Sequence, residues 1–368
     1  MGNENRHIAF YIGSLSKGGA ERVFVNLAEY FLKEGCRVTM VTQYRKENEY
    51  ALPAGANRVI SDITPQEEGG RIGNFFRRFG KLRRIFAEIR ADVVLSAFGK
   101  NNLMAICTNA FLPTKVVVSV VAEPTEEYAG GLMRFLAKTL FYFADGIVMQ
   151  TREAVRFFPK SLQKKCVILK NSVNPSFVRP RFDGIRKQEI VAVGRVDANK
   201  NHRMAIRAFA LIADRFPDSS LTIYGEGELR QELLEEAGKL GMEDRIRMPG
   251  AVADVADRIE KAYAFVLTSF SEGMPNTLLE AMCLGLPCIS TDCPCGGPRD
   301  LIEDGMNGFL VPVGDEGALA MRLSELLGDL RLAEEMGKRA ALLQQDYLPG
   351  KVNESWKDYF ARVVGKKL

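Results

Sequence analysis

The stretch Phe270-Ser-Glu-Gly-Met-Pro-Asn-Thr-Leu-Leu-Glu-Ala-Met282 decides the reading of this chain. It follows a short apolar run, Ala264 to Thr268, with the length and composition of a buried parallel strand. From Asn276 onward the pattern is helical, and Gly273 and Pro275 force a sharp turn between the two. In open α/β sheets, ligands bind where the chain leaves the carboxyl end of a strand in this way. Glu272 lies in the turn and Glu280 about one turn into the helix. Between them, the backbone from Met274 to Leu278 offers N–H groups without helical partners, which can meet hydroxyls or phosphate oxygens. The arrangement suits a sugar nucleotide.

Size and composition bound what surrounds this turn. At 368 residues the chain exceeds the size at which one core keeps growing, so two domains are expected. Hydrophobic residues make up 46% and charged residues 26%, an ordinary globular balance. A net charge of +4 is too small to suggest a nucleic-acid partner. Seven cysteines, an odd number, and no signal-peptide pattern after the polar start Met1 to Arg6 point to a reducing compartment. No stretch approaches about 18 uncharged apolar residues, which argues against a transmembrane helix and leaves surface association open.

The chain opens with a buried strand, Ile8 to Ile12, then Gly13-Ser-Leu-Ser-Lys-Gly-Gly19, a helix from Ala20, and a second strand, Val38 to Thr42. That succession begins a Rossmann-like half. The loop has neither G-x-G-x-x-G spacing nor a P-loop lysine, so no dinucleotide cofactor is expected. Gly18 and Gly19 either make a tight turn or let a phosphate approach the helix N-terminus. Strands at Asp92–Ala97, Lys115–Val120, Gly146–Gln150 and Cys166–Leu169 complete a first domain of six or seven strands over 1–171. Residues 172–187, with two prolines and no periodicity, read as a linker. The pattern restarts over 188–350, with strands at Glu189–Val193, Leu221–Tyr224, Ile246–Pro249, Ala264–Thr268, Cys288–Ser290 and Phe309–Val311. The last amphipathic segment, 353–364, with Trp356 and Phe360, either closes the second domain or crosses back to the first.

Residues 71–90 carry seven basic side chains, one acidic, and an apolar stripe at helical spacing. They form either a core-packing helix with a solvated basic face or a helix lying on an anionic membrane surface. Leu132 to Phe143 is apolar nearly all round, suiting a buried helix or a resting place for an apolar lipid.

Arg195 and Lys200 follow a strand end in Gly194-Arg-Val-Asp-Ala-Asn-Lys-Asn-His202, a clamp for two linked phosphates. Fixed cations there would stabilise charge growing on a leaving diphosphate. Gly225 and Gly227 offer a further close-approach loop on the same edge, for a base or ribose. Glu280 suits ribose hydroxyls and Glu272 sugar hydroxyls or the anomeric centre. Asn276 and Thr277 would be better helix caps than Glu272. His7 and His202 are the only histidines; His202 would touch phosphate or make a local bond. A catalytic zinc is not expected, and Cys288, Cys293 and Cys295 read as an accidental cluster.

On Gly18-Gly-Ala-Glu21, Gly194 to His202, Gly225-Glu-Gly227, Ser271 to Met282 and Cys295-Gly-Gly-Pro298, the chain resembles the family 4 retaining glycosyltransferases. The resemblance implies the GT-B fold, two Rossmann-like α/β domains facing each other across a deep cleft. It implies that Arg195 and Lys200 hold the donor diphosphate. Glu272 and the turn Gly273, Met274, Pro275, Asn276, Thr277 and Leu278 would hold the transferred sugar, and Glu280 the ribose. Gly18 and Gly19 would close over the diphosphate from the acceptor domain, where Glu21 and Glu123 are candidates on the acceptor side. The implied reaction moves a hexose or N-acetylhexosamine, from a UDP-sugar, to a glycan or polyprenyl-linked acceptor at the cytoplasmic membrane face. No cofactor and, without D-x-D, no dedicated metal are expected. Where many relatives carry a polar pair before Glu123-Pro124, this chain has Val121 and Ala122. That departure keeps two alternatives open: an epimerase or phosphorylase-like enzyme, and a non-catalytic nucleotide-sugar-binding subunit.

Overall fold

The computed structural model describes residues 6–16 and 18–365; Lys17 of the glycine loop and both chain ends lie outside it. The chain forms two units, one comprising residues up to Asn171 with those from Gly350 on, the other Ser172–Pro349.

Seven strands build the first unit: β1 (His7–Ile12), β2 (Arg37–Thr42), β3 (Asn57–Ile60), β4 (Val93–Ala97), β5 (Lys115–Val120), β6 (Gly146–Met149) and β7 (Cys166–Ile168). They pair in the order β3-β2-β1-β4-β5-β6-β7, every pair parallel. Ile8 sits opposite Val38 on one side and Val93 on the other. Parallel neighbours need crossover connections, and helices in those crossovers cover both faces of the sheet. That is why β1 is buried throughout and, after His7, reads as an apolar run. Strand β3 escaped the sequence reading because it is a short edge strand that opens on Asn57 and Arg58 and is nowhere fully buried.

The second unit contains β8 (Lys187–Val193), β9 (Ser220–Tyr224), β10 (Ile246–Gly250), β11 (Ala262–Leu267), β12 (Cys288–Thr291) and β13 (Phe309–Val311). Their order is β10-β9-β8-β11-β12-β13, again all parallel. These are the six strands expected, with ends moved by two residues or fewer. The sequence order reverses between β8 and β11, so their following loops open at a topological switch point.

Residues 172–187 are not a free linker. Val173 and Phe177 are buried in the second unit's core, and Arg186 donates to the carbonyls of Glu260 and Ala262. Two prolines and poor periodicity disguised a segment anchored by tertiary contacts. The final helix, Pro349–Val364, buries Val352, Trp356, Tyr359 and Phe360 in the first unit, where Phe360 stacks on Phe31 at 5.5 Å between centroids. Gly146 makes room for it: a Cβ there would meet the Tyr359 hydroxyl at 2.1 Å.

The helix Arg71–Ile89 divides into two halves. Its last turns bury Leu82, Ile85 and Phe86, with Phe86 edge-on to Tyr11. Its first turns leave Ile72, Phe75 and Phe76 exposed at 75%, 53% and 65%. The helix Gly131–Leu140 behaves similarly, burying Ala137 and exposing Leu132 and Phe135. Among the described residues, no helix is long and apolar enough to cross a membrane.

Glu49 ties the glycine loop to the sheet edge. It takes a bidentate pair from Arg58, Nη1 to Oε2 at 2.6 Å and Nη2 to Oε1 at 3.1 Å, and accepts the Leu15 and Lys46 amides. The Arg58 hydrogen bonds hold its carboxyl at about 2, below the usual carboxylate range. A depressed folded-state value stabilises the protein above the unfolded value and loses that contribution as pH falls towards the folded one. Melting curves between about pH 5 and about pH 3 should therefore fall more steeply for the native chain than for Glu49→Gln. Parallel curves would show that Glu49 adds nothing there.

Candidate functional site

Four loops of the second unit leave adjacent strands at the same edge of the sheet. The loop after β8 carries Arg195 and Lys200; the loop after β11 carries Glu272. They are laced together through backbone and side chain. Phe270 N–H donates to the Asn199 carbonyl at 2.8 Å, Asn199 Nδ2 to the Ser271 carbonyl at 3.0 Å, and Thr268 Oγ1 to the Lys200 carbonyl at 3.0 Å. Across this seam Lys200 Nζ lies 2.5 Å from Glu272 Oε1, which also accepts Ser269 Oγ at 2.6 Å. The Lys200 and Glu272 side chains are only 17% and 11% exposed.

Arg195 stands apart in character. Its side chain is 77% exposed, with Nη2 3.2 Å from Asp197 Oδ2, so solvent screens the pair. Lys200 is thus a fixed charge and Arg195 a movable one. His202 makes the local bond: it is buried, and its Nε2 lies 3.1 Å from the Arg195 carbonyl. Burial pushes its imidazole down to about 4, so the ring is neutral near pH 7 and Nε2–H is the donor.

Gly273, Met274 and Pro275 form the turn into the helix Asn276–Cys283. Asn276 and Thr277 are its first two residues, not its caps. The N-cap is Pro275, which has no side-chain acceptor, and the Leu279 N–H bond to the Pro275 carbonyl begins the helical pattern. The amides of Thr277 and Leu278 precede that bond, as anion binding at a helix start requires. The side chains of Met274 and Leu278 are buried in the core, so only their backbone is available to a ligand. Glu280, in the second turn of the same helix, is 4% exposed.

Glycines hold these loops at close quarters. A Cβ on Gly225 would lie 1.8 Å from the Gly194 carbonyl oxygen, and one on Gly227 2.2 Å from that of Val196. Both answer first to backbone packing between the β8 and β9 loops, a role the ligand-approach reading had not assigned. Gly297 does the same for the decisive turn, since a Cβ there would lie 1.7 Å from the Gly273 carbonyl oxygen. Gly296 takes φ +76, which side chains rarely adopt. Cys288, Cys293 and Cys295 are buried free thiols; burial pushes Cys293 up to about 12, and Cys295 Sγ contacts the Glu272 carbonyl at 3.3 Å. They pack in the core, and for Cys288 and Cys293 burial disfavours the thiolate, the reactive form.

The acceptor-side candidates lie in the first unit. Gly18 precedes the helix Gly19–Lys33, and Glu21 in its first turn lies against it. Glu123 caps the short helix Pro124–Glu127, accepting Glu126 N–H at 2.9 Å. Sequence reasoning missed Glu127. Its Oε2 accepts the amides of Val121 and Ala122, each at 3.0 Å, and burial pushes this carboxyl up to about 7. The segment Val121-Ala122 is therefore held through its backbone, which a side-chain motif cannot reveal.

Residues 17–177 match the profile described as Glycosyltransferase Family 4, and residues 187–329 that of Glycosyl transferases group 1. A Campylobacter jejuni relative, GalNAc-alpha-(1->4)-GalNAc-alpha-(1->3)-diNAcBac-PP-undecaprenol alpha-1,4-N-acetyl-D-galactosaminyltransferase, is 30% identical over 97% of this chain and 98% of its own length. Among solved structures, sucrose-phosphate synthase from Thermosynechococcus elongatus superposes with a TM-score of 0.82 at 17% identity, covering 98% of this chain and 99% of that one. Anabaena HepE in complex with UDP reaches 0.81 at 16% identity, over 97% and 100%. With two parallel Rossmann-like sheets and these matches along nearly its whole length, the chain belongs to the family 4 glycosyltransferases of GT-B fold.

Proposed function

We propose that this glycosyltransferase moves a hexose or N-acetylhexosamine from a UDP-sugar to a polyprenyl-diphosphate-linked glycan, with retained anomeric configuration. The observation that carries the reading is the seam between the β8 and β11 loops, where Lys200 and Glu272 meet beside the start of the helix Asn276–Cys283. In this mechanism Lys200 and Arg195 take the donor diphosphate, and the first helical amides bind the anionic or hydroxyl-bearing part of the donor. Negative charge that grows on the departing UDP meets two cations, one fixed (Lys200) and one movable (Arg195). The leaving phosphate itself accepts the proton of the incoming hydroxyl, so a front-face displacement needs no protein nucleophile. Glu272 accepts from sugar hydroxyls and Glu280 from the ribose. The named activity of the Campylobacter relative, on an undecaprenol-linked acceptor, and the UDP bound to HepE support the choice of partners.

Ligand-observed NMR with UDP-, GDP- and ADP-sugars tests the donor. Saturation transfer to UDP-sugars alone is expected; silence across all three, from folded protein, would overturn the reading. Arg195→Ala and Lys200→Ala should each lower kcat by roughly two orders of magnitude, about the cost of removing one group that stabilises transition-state charge. Undiminished turnover in both would remove the clamp.

The same proposal places the enzyme at the inner face of the cytoplasmic membrane, held peripherally by the first turns of the helix Arg71–Ile89. Exposed Ile72 and Phe76 beside Arg77 and Arg78 make the combination that binds anionic interfaces. Co-sedimentation with anionic vesicles should weaken in a double variant, Ile72→Ser with Phe76→Ser. Equal binding would exclude this helix as the anchor.

A further inference from the structure

We infer that a cavity of about 690 Å³ in the first unit receives the first isoprene units of the acceptor's lipid. The assignment rests on the acceptor class proposed above. Three helices wall the cavity, each with residues three or four apart and hence on one face. Phe79 and Leu82 come from Arg71–Ile89, Met104 and Cys107 from Gly99–Asn109, and Leu136 and Leu140 from Gly131–Leu140. Its floor includes Tyr11 on β1, with Gln43 and Ser61 immediately after β2 and β3. This is the carboxyl edge of the sheet, where open α/β folds place ligands.

The chemistry of the lining selects an apolar chain over a sugar. The Gln43 amide of the floor is already engaged: its Nε2 donates to Tyr11 Oη at 3.1 Å and to Asn101 Oδ1 at 2.8 Å. A sugar would have to surrender its hydration for walls with few hydrogen-bonding groups, leaving hydroxyls unpaired. An isoprenoid gains stability with every part of its apolar surface removed from water. The volume lies within the range of about 300–1,000 Å³ that holds small ligands.

Two further features fit a diphosphate-linked lipid. Arg78 and Lys100 are also in the lining, and Lys100 is exposed. Arg78 Nε pairs with Asp62 Oδ1 at 2.6 Å, but its side chain is 44% exposed, so the pair is of the weak, solvent-screened kind that a phosphate can displace. The exposed Ile72 and Phe76 lie near the cavity residue Phe75, and exposed Leu132 and Phe135 flank the cavity residue Met133. They continue the apolar path for a chain longer than the cavity.

Farnesyl diphosphate, a short soluble member of this class, is the probe. Calorimetry on the full chain should give saturable binding, at least roughly tenfold tighter than inorganic diphosphate. Met104→Trp, which fills the cavity, should weaken farnesyl diphosphate by a similar factor while UDP binding and melting temperature hold. Cys107 provides a second readout in the unaltered chain: its alkylation by N-ethylmaleimide, followed by peptide mass spectrometry, should slow severalfold with farnesyl diphosphate but not with inorganic diphosphate. Equal affinity for the two diphosphates, unchanged farnesyl affinity in the variant, or unchanged Cys107 alkylation would each overturn the assignment. So would association with anionic vesicles without saturable farnesyl diphosphate binding, which would make these helices a membrane surface only. UDP binding reports separately on the donor reading. Its absence in the native chain would strike that reading and leave the cavity test intact.

Discussion

Parallel strand pairing is the constraint from which the rest of this molecule follows. With every strand of a sheet running the same way, every strand-to-helix loop emerges at one edge, and every crossover helix starts there. In the second unit this puts the loops after β8, β9, β11 and β12 side by side, although they are far apart in sequence. Loop chemistry that would otherwise be scattered over about a hundred residues becomes a single surface. The glycines at 225, 227 and 297 then let the loops touch backbone to backbone, which a side chain at any of the three would prevent.

Energetics separate the two cations of that surface. An exposed pair such as Arg195 with Asp197 contributes about 0–1 kcal/mol, so little opposes its rearrangement. Lys200 with Glu272 is mostly buried, and stripping one member from such a pair costs about 3–5 kcal/mol because the other charge is left stranded. A ligand that draws Lys200 away from Glu272 must therefore offer both an anion for the lysine and hydrogen-bond donors for the carboxylate. A sugar diphosphate carries both on one molecule. On the function proposed here, the ion pair thereby favours the complete ligand over phosphate alone.

The two units differ in how plainly they could be read. In the second, most of the strands β8 to β13 are short apolar runs, and all six were legible. In the first, β3 was hidden by its polar opening and partial exposure, and the helix Arg71–Ile89 resisted a single assignment because one half packs and the other does not. Glu127 escaped for a different reason. Nothing in Pro124-Thr-Glu-Glu127 distinguishes Glu127, whose carboxylate turns inward to hold two amides, from the exposed Glu126. Burial is decided by packing, and one sequence does not state it.

By itself, then, the sequence determined the α/β architecture and the two Rossmann-like units, and it marked Arg195, Lys200 and the Glu272 turn, the residues proposed here as the donor clamp. These rest on local signals: apolar period, glycine and proline at strand ends, and charge in the following loop. The tertiary structure decided what depends on contacts between distant segments. It sent the C-terminal helix into the first unit, made 172–187 an anchored segment, and gave Gly225 and Gly227 a packing role. It also gathered three helices around an apolar cavity. Helical periodicity shows that a face is apolar; only the placement of neighbouring elements decides whether that face is filled, left open to solvent, or hollow.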